Sequence, residues 1–527
     1  MPDTPVDEPV RIPDPPAPDA SGPEEPTPAD ATAPALITAG LSPDVASPSP
    51  DGEASAGDRS PPGAVPPPIA LSKWPMWVLG LVILMDEIDK NIVRGLITPL
   101  KEEFGVGDFG IGVLLSSFII INGLITVPAG YLADRWNRSR TIGHTGVGWS
   151  GLTALGALAP NFGALVALRS SLGFGQAITE PSAASLIGDY YPVAQRGRAF
   201  SIQQVMLLAG AGLGVGLGGT LGAAVGWRWA LVVVALPGLA VAALVYRLRE
   251  PKRGAADRLA AGGTELEASA PGDNPDLFER GFGQFCRDMW AGLVADGRTI
   301  VNIRTMRYAL VGVAALLFTI TAVASWLPQF YIRHYGIAEG EGERWFALLA
   351  ICGGIPGVLL GGRVADRYAT RVQGARLALP ALFVMAGNLL FTISYTLRSF
   401  APAFALQLVG LFVVTMAIPG LRAGLTDAVP AHLRGAGFGA FNLVAVIFGA
   451  AAAPTVVAGL SATFDENLRT AFLIVSPFVF LGGAVLFRAR KFLDEDMQKI
   501  MLAVLTAMQE EKEREEERSA EQHDQPT

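Results

Sequence analysis

The sequence predicts an all-α protein, a twelve-helix transmembrane fold built as two six-helix bundles related by an internal repeat. Three observations carry that prediction. Half of the 527 residues are hydrophobic and only 17% are charged, with a mean hydropathy of +0.39, too apolar for a water-soluble chain of this length. Twelve apolar runs come close to or exceed the roughly 20 helical residues that cross a hydrocarbon core. Two phrases also recur in the same order. Gly130-Tyr131-Leu132-Ala133-Asp134-Arg135 returns as Gly362-Arg363-Val364-Ala365-Asp366-Arg367, and the pattern Asp189, Pro192, Arg196, Gly197, Phe200 returns as Asp427, Pro430, Arg434, Gly435, Phe438. Charged hinges repeated between apolar runs suit two halves that rock about a central site.

Residues 1–72 are rich in Pro, Ala, Asp and Ser without apolar periodicity, and read as a disordered cytoplasmic tail. Acidic residues stand where a signal peptide would carry basic ones. Residues 1–73 hold twelve acids and three bases, a net of -9 against -8 for the whole chain, so the remainder is near +1. That balance implies no nucleic-acid partner.

The spans fall near 74–97, 111–133, 141–159, 163–187, 199–222, 227–246, 307–331, 345–365, 376–397, 401–424, 435–460 and 470–488. A backbone in lipid must satisfy its own hydrogen bonds, so each is a helix, with glycines as close-packing positions. The N-terminal bundle occupies 73–250 and the C-terminal bundle 304–490. Between them, 251–303 is a polar linker ending in an apolar stripe, Phe278, Phe282, Phe285, Met289 and Leu293, expected to lie on the membrane surface. After the last span, 491–527 carries a second stripe, Met497 to Met508, and a charged tail.

Basic residues cluster after every even-numbered span, for example Arg135, Arg138 and Arg140 after the second and Arg488, Arg490 and Lys491 after the twelfth. Both ends are therefore expected in the cytoplasm. Two cysteines, Cys286 and Cys352, make no disulfide framework. The four histidines lack ligand spacing and no phosphate-cradling loop appears, so neither a metal, a cofactor nor ATP drive is expected.

The chemistry lies in charges placed inside spans. The first span carries Asp86, Glu87, Asp89, Lys90 and Arg94, each costing roughly 2.5–3.5 kcal/mol at a helix centre unless paired or wet. Asp86, Asp89, Lys90 and Arg94 share a face, with Asp86 before Lys90 the favourable order. In the fourth span Arg169, Gly173, Gln176 and Glu180 share another, and depth counting puts Arg169 near Asp89. The C-terminal half has almost no ionisable group inside its spans, its polar candidates being Trp326, Gln329, Asn388 and Asn442, with Ser325 and Gln407. A cavity charged on one wall and apolar on the other would suit an amphipathic solute.

Twelve spans with Gly-x-x-x-Asp-Arg after the second and eighth resemble the major facilitator superfamily. In that superfamily the Asp and Arg of this loop hold a cytoplasmic gate, a role the resemblance assigns to Asp134, Arg135 and Arg138 and, in the second copy, Asp366 and Arg367. Within it the chain resembles the spinster-like transporters of lysophospholipids and sphingolipid-type amphiphiles, through Asp89-Lys90, Arg169 with Gly173-Phe174-Gly175, Gly226-Trp227-Arg228-Trp229-Ala230 and Ser325-Trp326-Leu327-Pro328. One departure is informative. Where the spinster pattern places a proton-coupling Glu, this chain has Gln176, leaving Glu180 or the acids Asp86, Glu87 and Asp89 to take its place.

The expectation is thus a monomeric secondary transporter of a lipid-like amphiphile in a bacterial inner membrane, coupled to protons or another cation, and not an enzyme. Export of hydrophobic drugs and a non-transporting lipid sensor are the competing readings.

Overall fold

A computed structural model of the chain describes residues 72–133, 136–256, 282–369, 374–429 and 436–523. The N-terminal tail, Asp134, Arg135, Arg434 and most of the linker lie outside the described residues. The N-terminal half comprises α1 (Trp74–Ile92), a 3-10 turn (Val93–Leu96), α2 (Ile97–Phe104), α3 (Asp108–Ala133), α4 (Arg138–Gly156), α5 (Phe162–Tyr190), α6 (Val193–Val225) and α7 (Trp227–Val245). The linker contributes α8 (Phe282–Asn302). In the C-terminal half follow α9 (Arg304–Tyr335), α10 (Glu341–Leu349), α11 (Ile355–Ala369), α12 (Ala375–Thr396), α13 (Phe400–Asp427), α14 (Ala436–Ala445), α15 (Ala452–Thr463) and α16 (Leu468–His523). Two π turns, Ala350–Gly354 and Val446–Ala451, join α10 to α11 and α14 to α15, so the eighth and eleventh spans each contain an under-wound break.

Nine helices among the described residues are long and apolar enough to cross a membrane on their own composition. The three spans outside that set are α1, α4 and α5, the helices that carry the buried Asp86, Asp89, Arg138 and Arg169. Their cost in lipid is met by pairing inside the bundle rather than by apolar composition.

Side chains reduced to nothing set the packing of the fifth span. A Cβ on Gly210 or Gly214 of α6 would lie 2.6 Å from the carbonyl oxygen of Leu84 or Ile88 in α1, and Gly218 meets the Ile92 carbonyl on the same face. On the other face Gly212 and Gly216 abut Ala350 and Ala347 of the eighth span at 3.0 and 2.9 Å, and Gly219 abuts Glu343. Spacings of four and three put each set on one stripe, so α6 is a thin plate between the first span and the opposite half.

Two sequence expectations are modified. The last span does not end near residue 488 but continues as one helix to His523. The linker helix packs on the start of the eleventh span, with Leu293 and Ile300 buried and Gly297 against Ala440.

Candidate functional site

The charged residues of the first span and Arg169 of the fourth cluster in two hydrogen-bonded sets, one around Lys90 and Glu87 and one around Asp89. Lys90 Nζ reaches Asp86 Oδ2 at 2.5 Å and Glu87 Oε1 at 3.0 Å. Asp89 accepts from Thr153 Oγ1 at 2.6 Å and Gln176 Nε2 at 2.8 Å, and its Oδ1 lies 3.5 Å from Arg169 Nη1. Arg169 Nη2 also donates to the Asp89 carbonyl at 2.6 Å. Arg94 donates to Asn91, whose amide donates to Glu87. Three acids and three bases thus sit together without net charge, the condition for burying them at tolerable cost. Asp86 Oδ1 is buried with no hydrogen-bond partner. Glu180 is exposed and joins none of these contacts, lying only within electrostatic range of Lys90.

Gln176, the position that departs from the spinster pattern, is 1% exposed and donates to Asp89. Its amide supplies a fixed donor where a carboxylate would compete for the same proton.

The end of the molecule at which both six-helix halves begin and finish is here called the tail face, and the opposite one the far face. At the tail face Arg138 is fully buried, bound to Asp189, to Ser185 Oγ at 2.9 Å, to Glu250 Oε1 at 2.7 Å and to the Pro251 carbonyl at 3.1 Å. The second half repeats the pair as Arg376 with Asp427, separated by the same 51 residues. Arg196 caps α5 by donating to the Gly188 and Tyr191 carbonyls. Gly362, Asp366 and Arg367 lie in the last turns of α11, the two charged residues exposed.

The far face is closed. Asp108, at the start of α3, has a side chain with no exposed surface and accepts from Lys101 at 2.8 Å, from both Arg333 nitrogens at 2.6 and 2.7 Å, and from Ser461 at 3.0 Å. Arg333 and Ser461 belong to the C-terminal half, so this carboxylate ties the halves together. Gln329 with Thr98 (3.1 Å) and Ser116 with Thr455 (2.7 Å) extend the seam inward. Nothing in hydropathy or repeat pattern pointed to Asp108, because it falls where a helix-capping acid is ordinary.

Open space lies on the other side of that seam. A cavity of about 640 Å3 is bounded by Gln204, Leu207, Leu208 and Ala211 of α6 and by α9, the eighth span, α13 and α14. It runs from Ala324 and Phe346 in the middle of the halves to Arg422 and Thr426, exposed near the tail-face end of α13. Apolar side chains make most of its wall, and Arg422 is the charged residue among those lining it. Asn442 lines it, whereas Trp326 and Asn388 donate to the Pro454 and Ser476 carbonyls inside the C-terminal bundle.

Two readings of the sequence are corrected here. The N-terminal charges do not form the cavity's wall in this state: α6 stands between, one stripe toward the cavity and its glycine stripe on α1. The C-terminal half is also less neutral than its hydropathy suggests. Glu343, 2% exposed, caps α10 by accepting from the Gly340 N–H at 2.9 Å, and Arg422 faces the cavity. The Gly340-Glu341-Gly342-Glu343 string was a legible capping signal.

Two six-helix halves, latched at one face and parted by a cavity toward the other, define a membrane carrier. Residues 79–454 match the Major Facilitator Superfamily, and the chain belongs to it. It is a multi-pass membrane protein. Among curated relatives it is similar to protein spinster homolog 3 of Danio rerio (27% identical, 61% of this chain, 63% of that one) and of Homo sapiens (28%, 59% and 61%). It is also similar to the sphingosine-1-phosphate transporter SPNS2 of Mus musculus, 28% identical over 49% of this chain and 43% of that one. These matches span less than two thirds of those relatives. The fold matches the crystal structure of a bacterial homologue of the human lysosomal transporter Spinster, inward-facing and unoccupied, with a TM-score of 0.65 at 20% identity over 80% of this chain and 98% of that one.

Proposed function

We propose that this transporter carries a single-tailed amphiphile with an anionic head, of the lysophospholipid kind, by presenting one cavity alternately to the two faces of the membrane. The carrying observation is the cavity: about 640 Å3, apolar along its length, with Arg422 near its tail-face end beside Thr426. Its volume falls within the range of small-molecule sites, and its wall offers a hydrocarbon chain contact while the guanidinium offers an anion two donors. The relative named as a sphingosine-1-phosphate transporter supports the same class of solute.

Coupling to protons is assigned to the network of the first and fourth spans. Both carboxylate oxygens of Asp89 already have donors or a cation, whereas buried Asp86 Oδ1 has none and can receive a proton without displacing a partner. The tail face is assigned to the cytoplasm of a bacterial inner membrane from its basic loops, and the carrier is taken to act as a monomer.

Proteoliposomes loaded with a pH gradient test this. Wild type should accumulate a lysophosphatidylglycerol, Arg422→Gln should slow uptake about tenfold, as loss of one charge-assisted contact implies, Asp86→Asn should abolish the pH dependence, and Asp89→Asn or Arg169→Ala should slow uptake. Wild-type rates in the latter two would remove the network from the mechanism. Uptake of hydrophobic drugs that lysolipids do not inhibit would favour efflux of drugs instead, and binding without accumulation would favour a sensor.

A further inference from the structure

Outside the central cavity, a second opening of about 460 Å3 lies on the flank of the C-terminal half, between the start of α9 and the tail-face part of α16. Six residues line it: Arg304, Arg307, Tyr308 and Val311 from α9, and Val485 and Phe492 from α16. Its polarity runs along the membrane normal. Arg304 and Arg307 are at the helix entrance, whereas Val311 is seven residues further, about 10 Å deeper at 1.5 Å per residue. Val485 and Phe492 have the same separation on the antiparallel helix, with Val485 the deeper. Between depth and surface, Tyr308 and Phe492 stack at 5.3 Å and 14°, forming a flat shelf.

The basic end also has the means to hold an anion. Both arginines are exposed, and no ion pair is formed by either among the described contacts. Arg488 falls on the same α16 face, three residues after Val485 and four before Phe492. Asp496, which packs on the first turn of α9, is committed elsewhere: its Oδ2 accepts the Thr305 N–H at 2.9 Å and the Thr305 hydroxyl at 2.7 Å, and its Oδ1 lies 3.8 Å from Lys499. That carboxylate fixes the first turn of α9 and leaves the arginines beside it to a ligand. Apolar Val311 is 46% exposed, on a surface that acyl chains would cover.

We infer that this groove binds one anionic phospholipid of the surrounding leaflet, its phosphate held by Arg304 and Arg307 and its glycerol and upper acyl carbons lying over the Tyr308–Phe492 shelf toward Val311 and Val485. A basic pocket between spans at the membrane surface is the arrangement that recognises such headgroups. The site is separate from the transport cavity, shares no lining residue with it and does not rest on the proposed substrate. It shares α9 with the wall of the cavity.

Native mass spectrometry of the full-length protein, titrated with dioleoyl phosphatidylglycerol or dioleoyl phosphatidylcholine, reads the site. Wild type should retain phosphatidylglycerol selectively, and Arg304→Gln/Arg307→Gln should bind it about 30-fold more weakly, at about fivefold per surface arginine. Arg304→Lys/Arg307→Lys should keep most of the binding, and Val311→Trp, which fills the chain cleft without touching charge, should lose it. Undiminished phosphatidylglycerol binding in the Gln variant would overturn the assignment. Equal competition by inorganic phosphate would show a site for free anions and overturn the lipid occupant, and an arginine-dependent dimer would give the groove to a second copy instead. Should the Gln variant fail to fold, the Lys and Trp variants decide: loss in both or retention in both refutes the geometry.

Discussion

Asp108→Asn is the sharpest perturbation of the far-face seam. The side chain is completely buried and sits between Lys101 and Arg333, both less than one-quarter exposed. Removing one partner from a buried pair costs about 3–5 kcal/mol. Part of that is recovered here, because Glu466 remains 2.9 Å from Lys101 and 3.9 Å from Arg333, and an Asn side chain can still meet Ser461. A residual of about 2 kcal/mol is left, which acts only while the halves are latched and so shifts the latched state about 30-fold against the open one. Spin labels on Glu103→Cys and Arg398→Cys, exposed at the far end of each half, would report the change by pulsed electron resonance with Cys286 and Cys352 replaced by Ser. A new long-distance population should appear in the Asn variant. An unchanged distance distribution, even with a lower melting temperature, would show that Asp108 stabilises α3 alone and that the seam is not a latch.

The other predictions concern packing and charge. Gly214→Ala puts a methyl 2.6 Å from the Ile88 carbonyl, where backbone must move, and should lower stability by about 1–3 kcal/mol. Gly151→Ala has nothing within 4 Å and should be neutral or stabilising by up to about 1 kcal/mol, so equal melting shifts would refute the plate-like packing of α6. Arg138→Gln leaves Asp189 and Glu250 facing each other without their cation and should cost about 3 kcal/mol in thermal unfolding. Because Asp89 and Arg169 are a buried ion pair at 3.5 Å, the double variant Asp89→Asn/Arg169→Gln should be more stable than the two single losses sum to, by about 1–3 kcal/mol; additive losses would mean that the pair is not coupled.

What was legible in the sequence was whatever a local pattern can record. Lengths of apolar runs gave the spans, and charges at spacings of three and four gave the shared faces on α1 and α5. Depth counting at 1.5 Å per residue sufficed to bring Arg169 to Asp89, because both helices are regular and antiparallel. The equal separations in Arg138–Asp189 and Arg376–Asp427 show that the repeated phrases record a repeated contact. The partners Glu250, in the coil after α7, and Ser185, one turn before Asp189 on α5, could not be read in the same way, since neither belongs to a repeated phrase.

Relations between halves were the part that escaped. Asp108 resembles any helix-capping acid until Arg333 arrives from 225 residues away. Arg422 looks like one more basic residue near a tail-face exit, and only the curvature of five spans around a common space makes it the cavity's cation. Most informative is the placement of α6. Its glycines announced close packing, but alternation between the 210/214/218 and 212/216/219 stripes has meaning only once the first and eighth spans are known to lie on opposite sides.

That placement decides how the buried charges can act on the cavity without touching what it holds. With no Cβ on its inner stripe, α6 lies against the carbonyls of α1, and bodies packed at backbone contact respond to strain as one unit rather than deforming separately. Its outer stripe meets Ala347, Ala350 and Glu343, so α6 is also half of the seam that must slide when the halves exchange faces. A charge change at Asp86 or Asp89 that repositions α1 therefore reaches the seam through a single helix thickness, about 10 Å. Neutrality of the six-charge network gives such a change its leverage, since one added proton leaves a net positive charge where the bundle offers little water. Under the proposed coupling, α6 is the common wall between the buried charges and the cavity, and substitutions on its two glycine stripes should separate by effect: those facing α1 should alter coupling, and those facing the eighth span should alter the balance between the two open states.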